Sequence, residues 1–213
     1  MIVSARGEAG IAAVALSLVL SPGPNMIYLV SRSITQGRKA GLISLGGVAV
    51  GFLMYLLLTV AGLSTVFAAL PAAFTVLKIA GAAYLLYLAW KALRPGGNSV
   101  FEPGALPPDR PHKLFTMGLV TNLLNPKIAV LYVALLPQFI DTKRGFVALQ
   151  SVILGSTQIV IALTVNCLIV LFAGALSAFL IARPTWLRVQ KVFMGIVLGV
   201  LAVTLATTPA INS

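Results

Sequence analysis

Long apolar runs separated by short polar connections set the pattern of this chain. They cover residues 9–30, 40–63, 75–93, 114–140, 146–181 and 186–208. Each supplies the roughly 20 residues that a helix needs to cross hydrocarbon. The pattern predicts an all-α polytopic membrane protein with six transmembrane helices. The fifth run is too long for one upright span and carries Gln150, Ser151, Ser156, Thr157, Gln158 and Asn166, so it reads as a tilted helix with one polar face. The first run lacks a basic leader and a small-residue cleavage site, so it is expected to be a span and not a cleaved signal. Residues 95–113, rich in proline and glycine, read as a linker.

Two runs are interrupted. Ser21-Pro22-Gly23-Pro24-Asn25 falls inside the first, and Asn122-Leu123-Leu124-Asn125-Pro126-Lys127 inside the fourth. Proline removes a backbone donor and clashes with the preceding turn. A break at membrane depth is tolerated only where protein or a water-filled cavity satisfies the freed groups. Both breaks therefore point at a site.

Composition agrees with the pattern. Charged residues make up only 9% of the 213, where a soluble domain has roughly a quarter, and mean hydropathy is +1.03. The net charge of +11 is distributed unevenly. Arg32, Arg38, Lys39, Lys91, Arg94, Arg110, Lys113, Arg183, Arg188 and Lys191 fall on one side of a six-span arrangement, and Arg6, Lys143 and Arg144 on the other. By the positive-inside rule the first side is cytoplasmic and both termini lie outside. The charge is thus a topology signal with attraction to membrane lipids. Nucleic-acid binding is a poor alternative, because the basic residues sit in short loops and form no continuous stripe.

The halves match in order. Besides the two breaks, Ser44-Leu45-Gly46-Gly47 pairs with Val152-Ile153-Leu154-Gly155-Ser156, and Lys78 and Gly81 with Lys191 and Gly195. Three spans per copy force the second copy to enter from the opposite face. Residues 1–94 then form a first three-helix repeat, 95–113 a cytoplasmic linker and 114–213 an inverted second repeat, with helices 1 and 4 interrupted near the midplane. Paired interruptions of this kind mark transporter sites.

Together with Ser31-Arg32-Ser33-Ile34-Thr35-Gln36-Gly37-Arg38-Lys39-Ala40-Gly41, Leu77-Lys78-Ile79-Ala80-Gly81-Ala82-Ala83-Tyr84-Leu85 and Leu136-Pro137-Gln138-Phe139, the two breaks closely resemble the homoserine/threonine-resistance (RhtB) family of LysE-type exporters. The likeness covers nearly the whole chain in order. It implies a multi-pass protein of the bacterial inner membrane that exports neutral amino acids or close derivatives (threonine-, homoserine- or leucine-like) by alternating access, driven by the proton-motive force as antiport. The expected partners are the amino acid, protons, membrane lipids and, in a homodimer, a second copy. No cofactor or metal is expected, and no enzymatic activity.

An amino acid is a zwitterion and needs partners of both signs. The half-helices beginning near Asn25 and Pro126 can offer donors and a positive dipole end to its carboxylate. Carbonyls freed by Pro22, Pro24 and Pro126, with the amides of Asn25 and Asn125, can take its ammonium. The expected substrate site is Ser21, Pro22, Gly23, Pro24, Asn25, Asn122, Asn125, Pro126 and Lys127. Prolines of this kind also serve merely as kinks. Lys127 lies about 20 Å from either end of its run at 1.5 Å per residue, too deep to snorkel, so it faces a cavity or a partner. It could attract the carboxylate, alternate between charged and neutral forms, or cap carbonyls released by the Asn125-Pro126 break.

Acids are scarce: Glu8, Glu102, Asp109 and Asp141, none deep in a span. The resemblance implies an acidic residue in span 5 near Ala162; here the nearest polar residues are Thr164 and Asn166. This argues against a carboxylate proton relay and against a dicationic substrate. Lys78, Gln138, Asp141 and Asn166 remain the pathway or coupling candidates. Lys78 could instead snorkel, and Asp141 could cap a helix end or pair with Lys143 or Arg144. The alternative is export of a different small solute or cation. Cations are disfavoured because hard or borderline ions need carboxylate, thiolate or imidazole ligands. A membrane hydrolase would rest on Ser21 with Lys127, a pair that nothing in the spacing demands.

Overall fold

A computed structural model describes residues 2–21, 23–69, 71–93, 108–181 and 184–207. Among these every regular element is helical: α1 (Ala5–Leu20), α2 (Pro24–Gln36), α3 (Arg38–Ala69), α4 (Pro71–Leu93), α5 (Pro111–Leu123), α6 (Pro126–Val130), α7 (Val147–Ile181) and α8 (Pro184–Thr207). Five of these eight begin at a proline, the position where a missing N–H costs nothing and a fixed φ favours the first turn. Proline here punctuates helices instead of merely bending them. The chain of α6 continues through a π-helical turn (Leu131–Leu135) and a 3-10 turn (Leu136–Phe139). Pro137 cannot donate back to the preceding turn, and this local loss accounts for the widened register.

The runs predicted from sequence coincide with these helices. By length and composition, Arg38–Gly62 and Val147–Ala175 can each cross a membrane alone. The pairs α1–α2 and α5 with Pro126–Phe139 qualify together, bent by 52° and 48°. The third and sixth runs fall on α4 and α8, but many of the side chains there, Lys78 and Lys191 included, lie outside the described residues, as do Pro22 and most of the 95–113 linker.

Helix packing places the breaks at the centre. α3 packs on α5 and α7, α7 on both α1 and α2, and α4 on α8. Tyr132, Phe52, Ile11, Leu29, Leu131 and Leu154 are wholly buried between them. The tightest crossing is α3 on α5. A methyl group on Gly47 would collide with the Phe115 carbonyl, and one on Gly118 with the Ser44 carbonyl. Small residues let the two backbones meet. Tyr55 Oη, donating to Leu123 O at 2.7 Å, and Tyr28 Oη, donating to Leu114 O at 2.8 Å, tie the ends of α5 to α3 and α2.

Candidate functional site

Both described residues of the first break are extended. α1 ends at Leu20, Ser21 has φ −72° and ψ 124°, and Gly23 has φ −162° before α2 begins at Pro24. At Gly23 it is the close approach of Lys127, not backbone freedom, that a side chain would disturb: a Cβ there would sit 2.8 Å from Lys127 Nζ and 3.1 Å from its Cε. The second break is extended at Asn125, with φ −80° and ψ 106°. Asn125 Oδ1 accepts from Lys127 N at 3.1 Å and so caps α6.

Lys127 joins the two breaks. Its Nζ donates to Leu18 O and to Ser21 O, both at 2.7 Å. A helix ends in unpaired carbonyls and carries partial negative charge there, so a buried ammonium is well placed on the end of α1. The carbonyls it caps belong to the end of α1 and the first break, not to the Asn125-Pro126 break, the source considered for a capping role. The expectation that both half-helices offer free donors is likewise corrected. In α6 the Lys127 amide is already taken by Asn125, whereas α2 starts without a side-chain cap.

Between the breaks lies a narrow cavity of about 30 Å³, room for about two water molecules. Ser21, Asn25, Asn125, Lys127, Gln158 and Asn166 line it on the polar side. Ala15, Leu18, Met26, Phe52, Leu131 and Ala162 are among its apolar walls. Two polar atoms in this lining are buried without a partner: Asn25 Oδ1, an acceptor, and Asn125 Nδ2, a donor. Buried polar groups are nearly always paired, and leaving one unpaired costs about 1–3 kcal/mol. One orphan of each sign, both in one cavity, fits a ligand that carries both signs.

The remaining candidates divide. Asn166 lines the cavity, with its Nδ2 on Ala162 O at 2.8 Å. Asn122 is wholly buried and unpartnered at both polar atoms, but it packs against Gly51 and does not line the cavity. Pro24 and Pro126 start their helices and do not line it either. Gln138 Nε2 donates to Ala134 O at 3.3 Å, away from the cavity. Asp141 caps the Thr142–Arg144 turn and pairs with Arg144 at 2.8 Å, the capping and pairing arrangement weighed above. That hydrogen bond holds its carboxyl below the usual range. The sequence reading named Gln158 on the polar face of span 5 but not in the site. Its Oε1 accepts from Tyr132 Oη at 2.6 Å, and the spacing Gln158, Ala162, Asn166 puts all three on one helix face. That spacing was the available signal.

A second polar cluster was missed. Near the C-terminal end of α2, Arg32 pairs with Asp109 at 2.5 Å, and Lys113 with the other Asp109 oxygen at 2.6 Å. Gln36 accepts from the Asp109 amide at 2.8 Å, and the Arg32 guanidinium lies 5.5 Å from the Tyr28 ring centre. The cluster clamps the start of α5 to α2. The Lys113 hydrogen bond foremost, then Gln36 and the charge of Arg32, hold the Asp109 carboxyl below its ordinary range. A depressed carboxylate stabilises the fold above its unfolded pKa, and that contribution is lost as pH falls through the folded value. The Tm advantage of wild type over Asp109→Asn is therefore expected to stay constant through neutral pH. It should shrink only below about pH 4, as thermal denaturation in detergent would show; shrinkage near neutral pH would contradict the clamp.

A family model described as LysE type translocator matches residues 16–208. Leucine efflux proteins of Salmonella choleraesuis (strain SC-B67) and Salmonella typhimurium (strain LT2) are each 27% identical over 201 residues, which cover 91% of this chain and 91% of theirs. No solved structure matches the chain.

Proposed function

The chain belongs to the LysE type translocator family, and from that premise we propose that it exports neutral amino acids, leucine-like in the first instance, from the bacterial cytoplasm. It is a membrane-embedded transporter and not an enzyme. One observation carries the substrate reading: the cavity at the two breaks holds an orphan donor and an orphan acceptor beside apolar walls. The substrate carboxylate goes to Asn125 Nδ2 and the uncapped start of α2. The ammonium goes to Asn25 Oδ1 and the carbonyl end of α1. Hydrogen bonds to such charged groups are worth about 1.5–3 kcal/mol each. Met26, Phe52, Leu131 and Ala162 receive the side chain, and no acid among the described lining residues offers a counter-ion to a second cation.

The architecture proposed with it is six spans in two inverted repeats, 1–94 and 114–213, joined by a cytoplasmic linker at 95–113, with both termini outside. The packing supports this reading. α3 of the first repeat lies against α5, the first half of span 4, and α7 of the second lies against α1, the first half of span 1. Such an exchange is what a two-fold axis in the membrane plane produces. The cavity is smaller than an amino acid, so substrate entry requires the half-helices to part, and the two breaks are the hinges for alternating access. Proton-motive force is the proposed drive. An efflux screen across amino acids, with and without a protonophore, tests the reading. Leucine or threonine should be retained at lower levels than in cells lacking the protein, and a protonophore should abolish the difference. Export of lysine or arginine instead, or export indifferent to the protonophore, would overturn it.

A further inference from the structure

Lys127 is seated where a substrate ammonium would sit. Its Nζ takes Leu18 O and Ser21 O, the charge-complementary end of α1, and these carbonyls stand in the same lining as the orphan acceptor of Asn25. An amino-acid ammonium has three donors to satisfy. Leu18 O has no N–H to accept from at Pro22, four residues on, so the carbonyl end of α1 is the natural acceptor to complete the ammonium's shell alongside Asn25 Oδ1. We propose that the Lys127 ammonium is a tethered competitor for the substrate's ammonium, which must lose its proton and its seat before an amino acid binds. The inference rests on the amino-acid export reading above and adds the device that couples export to protons.

The charges around the cavity require competition and not co-occupancy. No carboxylate among the described lining residues could hold two ammoniums side by side, and unscreened like charges at contact repel strongly in a low dielectric. Among the described side chains, the elements packed on α6 bring no other ionisable group into the lining; Lys78 of α4 lies outside them. α5 carries His112 and Lys113 at its far end, and the Lys113 ammonium is on Asp109. The described side chains of α4 include Tyr84 and Tyr87, neither in the lining, and Tyr132 of the π-helical turn is hydrogen-bonded to Gln158. The described polar residues lining the cavity beside Lys127 are Ser21, Asn25, Asn125, Gln158 and Asn166, none of them ionisable. The exchange balances: facing inward, Lys127 gives one proton to cytoplasmic water as one zwitterion binds. Facing outward, the zwitterion leaves and Lys127 regains one proton. One positive charge enters for each amino acid exported, the direction a proton-motive force drives. A Lys127 that instead held the carboxylate would bind proton and substrate together, and a proton-motive force would then draw the amino acid inward. The two roles have opposite signs.

The test is leucine binding to the purified full-length protein in lipid nanodiscs, by calorimetry in buffers of different ionisation enthalpy, over the range in which leucine stays zwitterionic. Wild type should release a proton on binding, and its affinity should rise with pH, approaching about tenfold per unit where one proton is displaced per leucine. Lys127→Met should bind leucine without proton release and without pH dependence. Lys127→Arg, charged at every pH, should bind weakly throughout. Gly23→Ala keeps the lysine but crowds its head, and should raise affinity at acid pH; with Lys127→Arg it decides the matter if Lys127→Met does not fold. Affinity that falls with rising pH, proton uptake, or wild-type pH dependence in Lys127→Met would overturn the competitor role while leaving the export reading intact. Failure of wild type to bind leucine at any pH would overturn that reading and this inference with it.

Discussion

Replacing Asn125 by aspartate is expected to abolish leucine export while leaving the break between α5 and α6 in place. The substitution keeps Oδ1, which accepts from Lys127 N, so the helix cap survives. It converts Nδ2, the orphan donor of the cavity, into a second acceptor that faces the substrate carboxylate. Losing one hydrogen bond to a charged group costs about 1.5–3 kcal/mol, a factor of roughly 10–150, before any like-charge repulsion is counted. Asn25→Ala removes the orphan acceptor and is expected to be similarly severe. Both are read as loss of resistance to toxic leucine levels, with membrane fractions showing wild-type protein. Full resistance in either variant would contradict the assignment of that residue. Asn122→Ala serves as the contrast. Its side chain is unpartnered but packs on Gly51 outside the cavity, so it should spare export far better than Asn25→Ala.

The second large effect is structural. Gly118→Leu is expected to prevent assembly, because the first added carbon meets the Ser44 carbonyl of α3, and backbone cannot swing aside as a side chain does. Overpacking of a well-fitted contact costs typically 1–3 kcal/mol and more when the helices must separate. The α3–α5 crossing also fixes Tyr55 on Leu123 O, next to the second break, so a displaced α5 misplaces Asn125. Gly174→Leu is the control, since nothing lies within 4 Å of a Cβ there. Size-exclusion profiles of the two variants in detergent should differ, the first aggregated and the second monodisperse; a wild-type profile for Gly118→Leu would contradict the crossing.

Much of this was legible because a bilayer makes certain residues expensive. Two prolines and a glycine inside the first run, and Asn125-Pro126-Lys127 inside the fourth, marked both breaks, and both asparagines do line one cavity. What stayed hidden depended on tertiary approach. Sequence placed Lys127 at a break but could not say that the carbonyls it caps come from α1, over a hundred residues earlier. Gly47 stands out in sequence only as part of the repeat pairing, and Gly118 carries no signal until α5 is laid across α3. Arg32 and Asp109 read as topology and loop charges, and only their meeting at 2.5 Å makes a clamp. Asp141 showed the reverse. It was the acid nearest a pathway in sequence, and it lies outside the cavity on Arg144.

The most direct measurement is equilibrium binding of radiolabelled leucine to the purified protein, wild type beside Asn25→Ala and Asn125→Asp. The two-break site predicts saturable binding by wild type, displaced by unlabelled threonine or homoserine but not by lysine, and loss of that binding in both variants. Undiminished leucine binding in both would place the substrate elsewhere and contradict the site.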